Sequence, residues 1–331
     1  MTFPRILFTS LSDKIDLFRK VDSQAKIFNP KSIIIGADSN ANCPAASKIK
    51  DFIEIPLISK WSLNEVLTFC ELHAITHILP TRDGELRFWS SHSRSLKKAG
   101  ISVMISDENC LRLCLDKLAF YQNWKSPQPL PVIQTTTNPD ELNITRFVVK
   151  ERIGSGSKNI GLNLNASEAK RHAKRLHSPV FQPFIKGREV SAETWIDAAG
   201  KCHGILLRWR LKVINGESHE TVVFQDENLE KKVKACFENF RGIRGHCLMQ
   251  LIVRPDGKVQ VIEINLRMGG ATPLAFYSGI SSVLWFLLEE SGKNELIPEK
   301  PQIKFGTKLS KINHNVTIQD PFPTRQSESI Y

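Results

Sequence analysis

The sequence predicts an α/β domain on an open parallel sheet, followed by an α+β region whose second half is antiparallel. Three observations predict it. Apolar residues make up 41% of the 331-residue chain, enough to fill two or three cores at roughly 100 to 200 residues per domain. Strand-like apolar runs alternate with helical periodicity over the first 110 or so residues, the rhythm of a parallel sheet with covering helices. Beyond Arg188, strand-like runs are separated by the turn signals Asp197-Ala198-Ala199-Gly200 and Pro255-Asp256-Gly257, which predict hairpins.

The strands expected first are 5–8, 33–36, 77–80 and 101–105. No G-x-G-x-x-G follows the first; Thr9-Ser10-Leu11-Ser12-Asp13 stands there, so the dinucleotide fingerprint of a dehydrogenase is missing. Asp83 and Glu85 follow a parallel strand, where open sheets tend to form crevices, and read as helix-capping acids ahead of a crevice role. A helix is expected over 106–124, ending before Pro127, Pro129 and Pro131, which no helix crosses. Asn138-Pro139 reads as a cap with Pro at the first helical position. Then come a strand at 147–150, a glycine-rich loop, a helix over 166–177 capped by Asn165 with Glu168 at its third position, and a strand at 180–184. The polar, Pro-bearing stretch after Glu299 reads as loosely ordered at its end, 321–331.

Composition excludes several classes. Forty-five Lys and Arg against 34 Asp and Glu give +11, which attracts polyanions, yet the basic residues are scattered and form no RNA-recognition or zinc-finger pattern. Nucleic acid is not an expected partner. Seven cysteines, odd in number and without C-x-x-C, fit neither a disulfide framework nor a zinc ribbon. Apolar runs at 6–8 and 283–288 are too short to span a membrane, and the default compartment is the cytoplasm.

Chemistry concentrates in three segments. In Cys247–Asn265, a two-residue turn at Asp256-Gly257 would put Gln250 opposite Glu263, with Cβ atoms about 5 Å apart. Asn265 shares that face because strand side chains alternate. Three oxygen donors at one strand end suit Mg²⁺, which lets phosphates complete its octahedron; a solvated polar face is the other reading, and a slip of one residue would turn Gln250 away. The loop Gly154-Ser155-Gly156-Ser157 is not a Walker loop and reads equally as a hairpin tip or a phosphate lid. The run from Gln182 through Phe184 and Ile185 to Glu189 is an apolar connector followed by an acid. It reads either as a buried strand and turn or as backbone for an adenine edge with a ribose acceptor. Arg208 and Arg210 alternate on one strand face and could hold a phosphate or an acid substrate. No histidine or serine has triad or H-E-x-x-H grammar, so no general base is named.

Taken in order, Asp116-Lys117, Val149-Lys150, Gly154 to Ser157, Gln182 to Glu189, Gln250 and Glu263-Ile264-Asn265-Leu266-Arg267 resemble the ATP-grasp superfamily. Within it the resemblance is to the carbamoyl-phosphate synthetase large chain and its stand-alone relatives, over about residues 5–290. It implies an ATP-grasp fold preceded by a Rossmann-like, pre-ATP-grasp parallel-sheet domain. The implied divisions are 1–110, an ATP-grasp small subdomain at 111–186, a metal-bearing subdomain at 187–300 and an extension at 301–331. It implies that Lys117 and Lys150 contact phosphates or the adenine side, that Ser155, Gly156 and Ser157 close over the phosphates, and that Gln182, Phe184 and Ile185 form the adenine connector. Glu189 would bind ribose, and Gln250, Glu263 and Asn265 would hold Mg²⁺, two ions being usual and Mn²⁺ a substitute. Arg267 would steady the phosphoryl group, with Arg210 as its catalytic companion. The implied function is a carboxylate–amine or carboxylate–thiol ligase acting through an acyl phosphate and releasing ADP and phosphate. Its partners would be ATP and small acid and amine substrates, with a homodimer compatible. Carbamoyl phosphate synthesis itself is not expected without a second synthetase half. A nucleotide-binding regulator and a kinase-like enzyme are the rivals. Leu266 stands where the family usually has Pro, and Gln182 where many members have Glu.

Overall fold

Five short apolar runs build the first sheet: β1 (Arg5–Phe8), β2 (Ile33–Asp38), β3 (Phe52–Glu54), β4 (His77–Leu79) and β5 (Ser102–Val103). In this computed structural model, which describes residues 3–124, 128–312 and 315–321, they pair in parallel in the order β3-β2-β1-β4-β5. β3 carries no expectation from the sequence, being three residues at the sheet edge with no buried side chain. The covering helices are α1 (Ile15–Phe28), α2 (Leu63–Leu72) and α3 (Asp83–Lys98). The order turns around between β1 and β4, which opens a crevice over their carboxyl ends.

The single helix expected over 106–124 is two, α4 (Glu108–Cys114) and α5 (Lys117–Asn123). Asp116 breaks it: its Oδ1 accepts from the N–H groups of Leu118 and Ala119 at 3.0 Å, capping α5, and its carboxylate receives Arg152 Nε at 2.8 Å. Asn138 caps only a single 3-10 turn, Pro139–Glu141. A three-stranded antiparallel sheet follows, of β6 (Phe147–Glu151), β7 (Gly161–Leu164) and β8 (Pro179–Pro183), in the order β7-β6-β8 and covered by α6 (Ala166–Ala173). The Asn165–Glu168 capping box forms as expected. α6 stops short of residue 177 because the Glu151 carboxylate accepts from the His177 and Ser178 N–H groups at 2.8 and 3.0 Å, drawing the chain off into β8.

The last sheet has seven strands: β9 (Arg188–Ile196), β10 (Cys202–Ile214), β11 (Glu217–Phe224), β12 (Gly245–Val253), β13 (Val259–Asn265), β14 (Lys308–Ile312) and β15 (Asn315–Gln319). They run antiparallel in the order β13-β12-β9-β10-β11-β14-β15. The stretch after Glu299 thus supplies two strands, anchored by Leu309 at 1% exposure. The expectations at Pro127 and at 322–331 lie outside the described residues. Helices α7 (Glu227–Asn239), α8 (Thr272–Tyr277) and α9 (Ser282–Glu290) pack on this sheet.

The first and last sheets share apolar packing. Leu17, Phe18 and Val21 of α1 belong to one buried cluster with Val283, Phe286 and Leu287 of α9, and Gln24 Oε1 accepts from the Val283 N–H at 2.9 Å. That weld holds the carboxyl ends of β1 and β4 against the antiparallel sheet. All seven cysteines are buried and unpaired; desolvation raises the Cys70 and Cys202 thiols to about 12, so they are packing groups rather than nucleophiles. Among the described residues no helix is long and apolar enough to cross a membrane.

Candidate functional site

Gln250 does face Glu263, but by a route other than the expected one. The turn is not two residues: the Arg254 N–H donates to Lys258 O and the Gly257 N–H to Arg254 O, both at 2.9 Å, leaving Pro255-Asp256-Gly257 as a three-residue loop with Gly257 at φ +76°. Pairing then runs Val253–Val259, Ile252–Gln260 and Leu251–Val261 until Ile262 bulges out and restores Gln250–Glu263 and Leu248–Asn265. Two one-residue departures cancel. Asn265 Nδ2 donates to Glu263 Oε1 at 3.0 Å.

These three side chains line a cavity of about 720 Å³. Opposite them stands Lys150 on β6. Burial lowers its pKa to about 8, with Glu263 and Glu189 pulling it up and Lys117 pushing it down, so cations and carboxylates from two sheets meet across the cleft. Lys117 Nζ donates to Gly154 O at 2.8 Å, fixing the start of the glycine-rich loop. Gly156, Ser157 and Asn159 have φ of +70°, +51° and +55°, left-handed conformations of the kind found in backbone N–H nests. The loop rests on the β10–β11 hairpin tip: a Cβ on Gly216 would come within 2.8 Å of Ser157 Oγ.

Arginines form the floor. Arg208, 1% exposed, donates through Nε to Glu193 Oε1 at 2.7 Å and through Nη1 to Ser218 Oγ at 3.0 Å. Glu193 is fully buried and also receives His246 and Thr272; burial opposes its charge, but Arg208, His246 and Thr272 outweigh it and hold the carboxyl at about 2. Arg210 donates to Glu189 Oε2 at 2.8 Å and to Gly216 O at 2.9 Å. Burial and the neighbouring Arg208 lower its pKa. Arg267 forks onto Asp83, Nε to Oδ1 at 2.8 Å and Nη2 to Oδ2 at 2.7 Å; burial opposes its charge, and Asp83 more than compensates. The two acids read as caps therefore divide. Glu85 caps α3, accepting from the Thr81 and Arg82 N–H groups at 2.9 and 3.0 Å, whereas Asp83 reaches across to the other domain.

The cavity brings together Lys117, Lys150, Ser155, Gly156, Ser157, Glu189, Arg210, Gln250, Glu263, Asn265 and Arg267. Gln182, Phe184 and Ile185 are not in its lining. Gln182 is buried and donates to Thr135 Oγ1 at 2.7 Å, and the Phe184 N–H is taken by Arg146 O at 2.9 Å. The sequence reading missed Asp13, Lys14, Thr81 and Arg82 at the carboxyl ends of β1 and β4, and Lys311 and Val316 of the β14–β15 hairpin. The switch-point rule could have flagged the first group; nothing local marks the second.

Residues 114–271 match the family model described as the ATP-grasp domain, and residues 6–104 match the PylC-like N-terminal domain. The chain thus contains an ATP-grasp domain preceded by a PylC-like N-terminal domain. No curated protein matches it. Among solved structures it is similar to a biotin carboxylase–βγ-ATP complex from Campylobacter jejuni, with 13% identity, TM-score 0.71, and 94% of this chain and 76% of that one covered. It is also similar to N5-carboxyaminoimidazole synthetase from Staphylococcus aureus complexed with ADP, with 14% identity, TM-score 0.72 and coverage of 94% and 83%. An L-amino acid ligase from Bacillus licheniformis gives 14%, 0.70, and 93% and 80%. At these identities the likeness is one of fold.

Proposed function

We propose that the protein is an ATP- and Mg²⁺-dependent carboxylate–amine ligase that works through an acyl phosphate and releases ADP and phosphate. The observation that supports this most is the facing of Lys150 and the left-handed glycine loop, on one side of the cavity, against Gln250, Glu263 and Asn265 on the other. Phosphoryl transfer asks for positioning and charge neutralisation more than for covalent help. Lys117 and Lys150 offset phosphate charge, and the backbone of Ser155, Gly156 and Ser157 caps it. The donor set of one carboxylate and two amide oxygens fits Mg²⁺, and Mn²⁺ as a substitute, because both take oxygen ligands. The ion would neutralise phosphate oxygens there; a second would depend on the phosphates for most of its ligands.

Glu189, one oxygen of which holds Arg210, offers the other to ribose hydroxyls. Gln182, Phe184 and Ile185 are left out of this reading, since the first is bonded to Thr135 and the Phe184 N–H is already paired. The acid's carboxylate oxygen attacks the γ-phosphorus and ADP leaves; the amine then attacks the carbonyl carbon and phosphate leaves. Arg267, oriented by Asp83, steadies the phosphoryl oxygens from the far side, with Arg210 on the floor.

Hydroxylamine tests this. With MgATP and a panel of acids, one acid should yield a hydroxamate together with ADP. AMP and pyrophosphate would reject the scheme, a stable phosphorylated product would favour the kinase-like reading, and nucleotide binding without turnover on any acid would favour a regulator.

A further inference from the structure

Lys311 occupies an unusual place for a lysine. Strand alternation puts it on the same face of β14 as Leu309, which is 1% exposed, so its side chain is directed inward with only 16% of its surface exposed. Its Nζ lies 3.0 Å from Glu217 Oε2 and 3.9 Å from Asp13 Oδ2, and all three residues line the cavity. Asp13 belongs to the β1–α1 connection of the parallel-sheet domain, Glu217 opens β11, and β14 lies beyond both family-matched segments. Three distant parts of the chain thus meet on one ammonium group, beside the β10–β11 hairpin tip on which the glycine loop rests.

The neighbourhood is tight beneath this contact. A Cβ on Gly270 would stand 3.3 Å from Glu217 Cδ, so the turn after Arg267 runs directly under the carboxylate. Glu217 is also among the charges that raise the pKa of Arg267. Yet Glu217 and Asp13 keep 47% and 36% of their side-chain surface exposed, and pairs so hydrated stabilise a fold by only about 0–1 kcal/mol. Stability alone gives little reason for a lysine directed inward at this point.

We propose that Lys311 is a specificity-determining residue: an ionic bar that ties Asp13 of the β1–α1 connection to Glu217 of the β10–β11 hairpin across the cavity and restricts entry to small free substrates. Which molecule enters rests on the ligase reading above; the bar itself does not. Because the seven native cysteines are all buried, an Asp16→Cys protein offers a single accessible thiol in the cavity lining for a direct test. Its rates with a methyl methanethiosulfonate and with a bulky fluorescein maleimide are compared with Lys311, with Lys311→Ala and with Lys311→Arg. The bulky-to-small rate ratio should rise about tenfold or more in Lys311→Ala, the scale of steric discrimination in a pocket, and return towards the starting value in Lys311→Arg. An unchanged ratio in folded Lys311→Ala overturns the proposal.

The second arm uses turnover. With an acid and amine that drive ADP release, Lys311→Ala should raise kcat/KM for bulkier homologues relative to the small pair, with KM for ATP unmoved; equal selectivity overturns the bar. If no acid and amine drive ADP release from the unmodified protein, the ligase reading fails, and the thiol ratio still decides the bar.

Discussion

The two parts of the cavity are built in opposite ways. The part facing the glycine loop draws on contiguous motifs: Gly154 to Ser157 lie together, and Gln250, Glu263 and Asn265 sit on one hairpin. The other part is assembled from Asp13, Arg82, Asp83, Glu217 and Lys311, residues of the lining that only the fold brings together. The first can be read along the chain, and the second needs the topology. Paired charges run through both, Arg208 with Glu193 and Arg210 with Glu189 in the first and Arg267 with Asp83 and Lys311 with Glu217 in the second, and the first adds Lys117 and Lys150 beside the glycine loop. One part is suited to holding a common ligand and the other to selecting a particular one.

Four substitutions would break or sharpen that contrast. The largest effect is expected beneath both parts. Glu193→Ala leaves Arg208 buried without its carboxylate, a loss that costs about 3–5 kcal/mol, read as a lower urea midpoint at unchanged slope. Because the folded pKa of Glu193 is depressed to about 2 from 4.5, its contribution is present above the unfolded value and is lost as pH falls towards 2; the variant should lack that share of the acid dependence. An unchanged midpoint would show that the Arg208 network is not a structural support.

Next comes Glu263→Gln, which should reduce Mg²⁺-dependent ADP release by about 10-fold to 100-fold without altering the thermal midpoint. Full activity in a folded variant would remove Glu263 from the metal site. Lys150→Ala should weaken ATP binding by roughly tenfold, through loss of a charge-assisted contact, and calorimetric titration with MgATP would detect it. Smallest is Asp83→Asn, which frees Arg267 from its fork. A several-fold lower kcat with ATP affinity unmoved is expected, and an ATP affinity that falls instead would put Asp83 on the nucleotide side.

Much of this was legible in the sequence for physical reasons. Alternating apolar runs and turn residues mark β1, β2, β4 and the β12–β13 hairpin because local propensity and burial agree there. The Gln250–Glu263 pairing shows how such a reading can arrive by an unforeseen route: a longer loop and a bulge at Ile262 each shift the register by one residue, in compensating directions. Asp116 breaks the helix with a local cap on Leu118 and Ala119, and Arg152 from just beyond β6 is a further partner that no local pattern shows. Asp83 and Glu85 look alike in sequence, and only the neighbouring domain separates a cap from a fork. Lys311 sits in a polar tail whose strand exists because β11 offers an edge to pair with.

The account stands on transfer of the γ-phosphoryl group of ATP to an acid's carboxylate in the cavity between Lys150 and Glu263. An acid carrying heavy oxygen in its carboxylate, turned over with MgATP and amine, tests this by phosphorus NMR of the released phosphate. The account predicts one labelled oxygen in each phosphate formed. Unlabelled phosphate, with amide product formed at the same rate, would contradict it.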